Sequence, residues 1–340
     1  MNKKVIFILG PTGSGKTALG VKLAKKFNGE IISADSRQVY KKLDIGTGKE
    51  GISQKSKIKS HNYNSKLKLI IQGARYIDGI PQYMIDVTKP EERFTLFDWL
   101  EEARLILEDI FSRVKVPIVV GGTGLYAKAL SEGFELRKSK IQISNVKSNP
   151  KSKFQREELD KMPLEQLQKI YHRLQTTDYK LDLRNPRRLI RTIEKAQEGT
   201  ITTKEKPYFE SLILAIDLDR KELYERIDKR VDDRFTTGML EEVAGLLKSG
   251  ISADWLRSLG LEYKIISQFI INGGSRLRSN NSLVEVAEKN KFDEMVQELK
   301  WKTHAYARRQ LTWLRKQKNV IWIKNLRQAG KLVENFLKVI

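Results

Sequence analysis

One stretch constrains this chain more than any other. Gly10, Pro11, Thr12, Gly13, Ser14, Gly15, Lys16 and Thr17 match the pattern G-x-x-x-x-G-K-[ST] in full. The stretch follows a short apolar run at 5–9, which reads as a buried parallel strand. It precedes residues 17–27, where Leu19, Leu23 and Phe27 recur at helical spacing. In a strand–turn–helix setting the glycines let the backbone curl and turn successive N–H groups toward phosphate. The helix N-terminus adds positive potential, Lys16 reaches an outer phosphate, and the Thr17 hydroxyl is placed to ligate Mg²⁺. The motif specifies a diphosphate-bearing ligand without naming it.

The rest of the chain builds outward from this unit. A second strand is expected at 30–33, which completes a right-handed βαβ unit and hence a parallel sheet. Residues 98–114 read as a helix, and 117–120 as a buried strand that stops at Gly121, Gly122, Thr123 and Gly124. Another helix is expected at 125–130. Residues 47–80 are polar and weakly patterned, and part of them reads as an inserted loop or hairpin. Past Gly133 the composition turns polar and basic, with helical patterns at 155–174 and 186–197. A buried strand returns at 211–216, and a short last one is expected at 320–323. The expected fold is α/β: a P-loop NTPase-like parallel sheet flanked by helices, with a smaller all-helical insertion domain. The core would comprise 1–136 and 206–340, and the insert 137–205.

Charge adds a second constraint. Over 340 residues, 64 basic side chains against 42 acidic ones leave a net charge of +22. A solvated lysine-rich surface and a polyanion partner both account for that sum, and clustering separates them. Residues 41–70 hold eight lysines against Asp44 and Glu50, and 137–156 are similarly basic. Between 301 and 318 six basic residues and no acid are interleaved with Trp301, Tyr306 and Trp313, a mixture suited to looped or single-stranded RNA. The chain has no cysteine and only His61, His172 and His304, which argues against thiolate or histidine-rich metal sites. No apolar run reaches membrane-spanning length, and the N-terminal run leads straight into the phosphate loop. A soluble, cytoplasmic, monomeric protein without membrane contacts is the expectation.

An ATP- or GTP-hydrolysing protein normally has a second strand ending in an acid that helps hold the metal. Here the strand at 117–120 ends in glycines. The run ending in Asp217 lies far downstream and leads into an arginine-rich helix. The acid at the carboxyl end of the second strand is Asp35, on the edge where open sheets bind ligands. From position alone it either caps the next turn, orients Mg²⁺ through water, or acts as a general base.

The wider pattern narrows the choice. GEIISADSRQVY at 29–40, LDIGTGK at 43–49, IDV at 85–87, VVGGTGLY at 119–126, RRLIR at 187–191, LYERIDKR at 223–230, GLEYK at 260–264 and YARRQLTW at 306–313 occur in order. Together they resemble the tRNA dimethylallyltransferase (tRNA isopentenyltransferase) family over most of the chain. Two departures stand out: a longer stretch between Gly48 and Pro81, and Pro81, Gln82 and Tyr83 where the family usually has Pro-His-His.

The resemblance implies a reaction and a site. Dimethylallyl diphosphate gives its five-carbon group to N6 of adenosine 37, beside the anticodon of tRNA, and diphosphate leaves with Mg²⁺ as cofactor. The loop from Gly10 to Thr17 then holds the leaving group, with Lys16 stabilising its charge. Asp35 accepts the amine proton. Thr123 hydrogen-bonds the base or reacting centre, or alternatively caps the helix after it. Ser36, Arg37 and Gln38 read the adenosine and its neighbours. The segment Arg187, Arg188, Leu189, Ile190 and Arg191 lies against tRNA, or its arginines form surface ion pairs. Arg309 and Gln310 share a helical face with Tyr306 and Trp313, and Trp313 serves either the core or a base. An unspecified arginine of 220–234 meets the diphosphate. A small-molecule kinase on the same core and an RNA-binding protein with a vestigial loop are the competing readings.

Overall fold

The computed structural model describes residues 3–53, 65–138, 154–173, 181–274 and 282–338. They divide into two compact units, 1–131 with 207–340, and 132–206.

In the larger unit β1 (Lys4–Leu9) is buried along its whole length, as a continuous apolar run requires when both sheet faces are covered. The phosphate loop follows, then α1 (Lys16–Lys26) and β2 (Gly29–Ser33). Next come β3 (Ile52–Ser53), α2 (Ser65–Gln72), the hairpin β4 (Arg75–Ile77) and β5 (Ile80–Tyr83), α3 (Leu96–Ser112), β6 (Val116–Gly121) and α4 (Gly124–Ser131). The unit resumes after residue 206 with β9 (Glu210–Ile216), numbered after two strands, β7 and β8, in the smaller unit. The sheet order is β10-β9-β1-β6-β2-β5-β4-β3, parallel from β10 (Val320–Ile323) to β5 and antiparallel beyond. The sheet is therefore mixed, because a two-residue turn at Asp78 and Gly79 returns the chain directly instead of through a helix. That hairpin lies inside the polar stretch where an inserted loop or hairpin was expected; its residues 54–64 lie outside the described residues.

Ile6 and Ile8 of β1 pack on Leu19 and Leu23 of α1 and, with β9, on Ala329 and Val333 of α13 (Leu326–Lys338). Beside β2 and β6, Trp99 of α3 donates its indole N–H to the Ser33 carbonyl at 3.0 Å and leans on Tyr126 of α4. A helical layer closes the unit: α8 (Arg220–Thr236), α9 (Met239–Lys248), α10 (Ala253–Leu259), α11 (Leu261–Phe269) and α12 (Ser282–Arg315). Val231, Met239, Val243, Leu256, Tyr263, Ile266 and Leu299 share its core with Leu43 from the loop after β2. No helix of the described residues is long and apolar enough to cross a membrane.

One buried ion cluster ties β2 to α3. The Glu30 carboxylate accepts from both terminal nitrogens of Arg113 and from the Tyr83 hydroxyl at 2.7 Å, and Lys115 lies 3.3 Å away. Tyr83 thus spends its hydroxyl on a structural contact. Glu30→Ala should lower unfolding free energy by about 3–5 kcal/mol, because Arg113 is left buried without its main partner. A denaturant titration with unchanged slope and a lower midpoint is the expected readout.

The smaller unit holds β7 (Phe134–Lys138), α5 (Arg156–Lys161), α6 (Leu164–Arg173), α7 (Pro186–Glu198) and β8 (Thr200–Lys204). Leu159, Leu167, Tyr171, Leu189, Ile190 and Ile193 form its core. It is not all-helical: β7 and β8 pair antiparallel, Phe134 opposite Lys204 and Lys138 opposite Thr200. β8 is polar with little burial, and the alternation of Phe134 and Leu136 with charged residues on β7 is too short to betray a strand. This pairing moves the unit's ends outward, from 137 and 205 to 132 and 206. The helix expected over 155–174 is two helices, because Pro163 forces Met162 into an extended conformation (ψ 139°).

Candidate active site

The loop after β1 lies at the same sheet edge as the carboxyl ends of β6, which pairs with β1, and of β2, which pairs with β6, and this edge opens a cavity of about 830 Å³, counting space continuous with solvent. Gly13 (φ 79°) and Gly15 (φ 84°) take the left-handed conformations that the loop's curl demands. A Cβ at Gly10 would stand 2.7 Å from the Ser14 hydroxyl oxygen, so a larger residue where the strand ends would displace that side chain. Of the eight loop residues, Thr12, Gly13, Gly15, Lys16 and Thr17 line the cavity. Gly10, Pro11 and Ser14 form the turn itself. The Pro11 carbonyl accepts from the Lys16 ammonium at 2.7 Å. Burial first, and Arg230 second, push that ammonium down to about 8, against the pull of Asp35 and Glu50.

Asp35, just past β2, lines the same cavity. Its Oδ1 accepts from the Arg37 N–H at 2.9 Å and more weakly from Gln38 N–H at 3.4 Å. One carboxylate oxygen thus caps the turn, while among the described residues no hydrogen bond engages Oδ2. The turn cap expected as one alternative for Asp35 is therefore present, and the second oxygen stays free to meet a ligand.

The other expected residues fall into three groups. Arg37 and Gln38 line the cavity, and Gln38 donates to the Thr47 and Gly48 carbonyls, pinning the opposite loop. Gln310, also on the wall, holds two backbones together: its Oε1 accepts from Thr12 N–H and its Nε2 donates to the Gly122 carbonyl, each at 2.9 Å. Ser36 and Thr123 stand behind the wall, where the Thr123 hydroxyl accepts from the Ser36 N–H at 3.2 Å. That contact ties the end of β6 to the end of β2 and takes the place of the side-chain helix cap expected as one alternative for Thr123. The hydroxyl proton remains available for donation.

Trp313 is half-buried and packs its ring on Gly124, where a Cβ would come within 2.2 Å; Arg309 is exposed, its guanidinium 5.7 Å from the Tyr306 ring centroid. In the smaller unit Arg187 and Arg188 are exposed on α7, and Arg191 pairs with Glu194 at 3.3 Å. Leu189 and Ile190, expected to meet tRNA, are instead buried in that unit's core, because they occupy the opposite face of the helix.

Several wall residues were not singled out as contacts in the sequence. Arg230 and Arg234 of α8 enter the cavity, whereas Arg226 of the same stripe is exposed and paired with Glu222. Gln82, the departure from Pro-His-His, lines the wall and donates to the Glu50 carbonyl. Tyr306 lines it from α12. Glu262 of α11 lies behind, accepting from Arg37 at 2.7 Å and Arg234 at 2.6 Å. Burial by itself would raise its carboxyl, but the two arginines outweigh it and hold it at about 2.

Comparison with known proteins decides what kind of chain carries this cavity. A family model described as IPP transferase matches residues 73–317, and one described as isopentenyl transferase matches 3–63. The chain belongs to the IPP transferase family. Among members of that family, a tRNA dimethylallyltransferase 2 of Shewanella sediminis is 38% identical over 93% of this chain and 90% of its own. A solved tRNA isopentenylpyrophosphate transferase of Staphylococcus epidermidis is 30% identical, with a TM-score of 0.59 over 98% of both chains. Its counterpart from Bacillus halodurans is 27% identical, with a TM-score of 0.61 over 98% of this chain and 95% of that one. The IPP transferase fold is thus a P-loop NTPase-like one, and the phosphate loop, Asp35 and the α8 arginines meet at its carboxyl edge.

Proposed function

We propose that this chain is a tRNA dimethylallyltransferase, which moves the dimethylallyl group of dimethylallyl diphosphate to N6 of adenosine 37 next to the anticodon. The observation that carries the reading is one cavity lined both by the phosphate loop and by a carboxylate with an unengaged oxygen. The N6–carbon bond forms as the carbon–oxygen bond to diphosphate breaks. The electron pair leaves on the diphosphate oxygen, and the N6 proton passes to Asp35 Oδ2. Backbone N–H groups of the loop, Lys16 and Arg230 oppose the negative charge that develops on the leaving group. General-base assistance of this kind contributes roughly 10²–10⁴ in rate.

The residues present fit Mg²⁺ in a particular way. Among the described residues no group of three metal-ligating side chains comes together, yet the Thr17 hydroxyl lines the cavity and no hydrogen bond engages it. Mg²⁺ usually keeps waters and takes substrate phosphates as ligands, so Thr17 and the diphosphate would hold it together. Bound there, it supplies further charge neutralisation for the leaving group.

The kinase reading finds no metal-holding acid at the ends of β6 or β9: β6 ends in Gly121, and Asp217 after β9 is exposed and outside the cavity. To reach Asp35 the adenine must leave its stack, at a cost of a few kcal/mol that RNA contacts recover. Exposed Arg187, Arg188 and Arg309 are the candidate contacts in their respective units. Incubation with labelled dimethylallyl diphosphate and unmodified tRNA should place label in the RNA without consuming ATP. ATP hydrolysis with unlabelled RNA would transfer the case to the kinase. Affinity for tRNA should fall steeply as salt rises from 50 to 200 mM, by about 10³-fold if roughly six phosphates are contacted. A flat response in a filter-binding titration would remove the basic surfaces as the RNA site.

A further inference from the structure

Four cations line the cavity wall: Lys16, Arg37, Arg230 and Arg234. They are not equivalent. Glu262 takes Arg37 on one oxygen and Arg234 on the other, at 2.7 and 2.6 Å. Among the described residues no carboxylate pairs with Lys16 or Arg230. Glu262 is 2% exposed and does not line the cavity, so it acts on a ligand only through its arginines. The backbone bears a strain to put it there: Leu261, immediately before it, is a non-glycine residue at φ 41°. The Arg234 Nε is buried without a partner, so Glu262 alone among carboxylates fixes that guanidinium.

We infer that Glu262 is a positioning residue and resident counter-ion, which occupies Arg37 and Arg234 and leaves Lys16 and Arg230 as the cations offered to diphosphate. The consequence concerns product release. Inorganic diphosphate carries an ionisable oxygen that the prenyl ester lacks, so a wall of uncompensated cations would hold the product more tightly than the substrate. An internal carboxylate competing for two of those cations loosens that hold. Burial and the neighbouring Arg234 already depress the Arg230 guanidinium, while it stays charged at neutral pH, which marks it as the cation most in need of an anion. The inference rests on the reading of this cavity as a diphosphate site.

The test uses the full chain, Mg²⁺ and inorganic diphosphate, followed by calorimetry and by product inhibition of prenyl transfer. Glu262→Gln should bind diphosphate about tenfold more tightly and turn over more slowly, since one negative charge near the wall is gone. A purely structural role for Glu262 predicts weaker binding, and that result, or unchanged binding, overturns the inference. If this variant does not fold, because two buried arginines lose their partner, a second pair of variants decides. Glu262→Met with Arg234→Met removes opposite charges together and leaves one guanidinium, Arg37, without its carboxylate instead of two. Arg234→Met alone should weaken diphosphate binding about tenfold, and the double variant should return to within about threefold of the native protein. Equal affinities of those two variants would defeat the counter-ion role. A native protein that neither binds diphosphate nor transfers label would instead defeat the functional reading itself.

Discussion

Asp35→Asn is expected to lower the turnover of prenyl transfer by about 10³-fold while leaving the fold and tRNA affinity near native values. The asparagine carbonyl oxygen replaces Oδ1 and still accepts the Arg37 and Gln38 N–H groups, so the turn after β2 keeps its cap. What is lost is the proton acceptor on Oδ2. Asp35→Ala removes both at once. It should lose the same chemistry and in addition about 1 kcal/mol of stability from the broken cap, because the two amides then lack their partner. The comparison separates positioning from chemistry. Single-turnover rates with labelled donor, together with thermal melts, provide both readouts. Near-native turnover in the asparagine variant would remove the base assignment.

Lys16→Met should reduce kcat/KM for dimethylallyl diphosphate by about 10²–10³, the scale seen when one preorganised oxyanion donor is deleted. The pH dependence gives a second, independent signature. In the free protein burial and Arg230 hold the Lys16 ammonium at about 8, so it is cationic below that pH and neutral above it. On the proposed reading of the cavity, diphosphate binds the cationic form. Affinity should therefore be full below about pH 8 and weaken as pH rises through it, by up to about tenfold per pH unit. The methionine variant should show weaker binding at every pH and no such slope. A slope that survives in Lys16→Met would assign the titration to the ligand and not to this residue.

These effects concentrate on residues whose roles were legible to different degrees. The phosphate loop was legible because its function depends on contiguous residues: two left-handed glycines, a lysine and a hydroxyl in fixed order between a strand and a helix. Asp35 was legible as a strand-end carboxylate. Its double use, one oxygen for the turn and one for the cavity, was not, because side-chain direction is settled only after the turn closes. Gln310 shows the reverse case. Its place on a helical face beside Tyr306 was readable, but its amide's bonds to the Thr12 and Gly122 backbones, 298 and 188 positions away in the chain, were not. Leu189 and Ile190 sat inside a motif with three arginines, and helix geometry turned them inward.

The amino-acid order alone determined a βαβ start, a complete phosphate-loop motif, an acid at the end of the next strand and a basic, cysteine-free chain. All of these depend on local spacing or on sums over residues, and local spacing survives in any fold that keeps the elements. The tertiary structure decided which arginines of α8 enter the cavity, that Glu262 joins Arg37 across 225 positions, and that polar β7 and β8 pair. Such contacts form between segments that are remote in sequence and leave no period behind them. Only the packing of helices against the sheet brings those charges within 3 Å of one another.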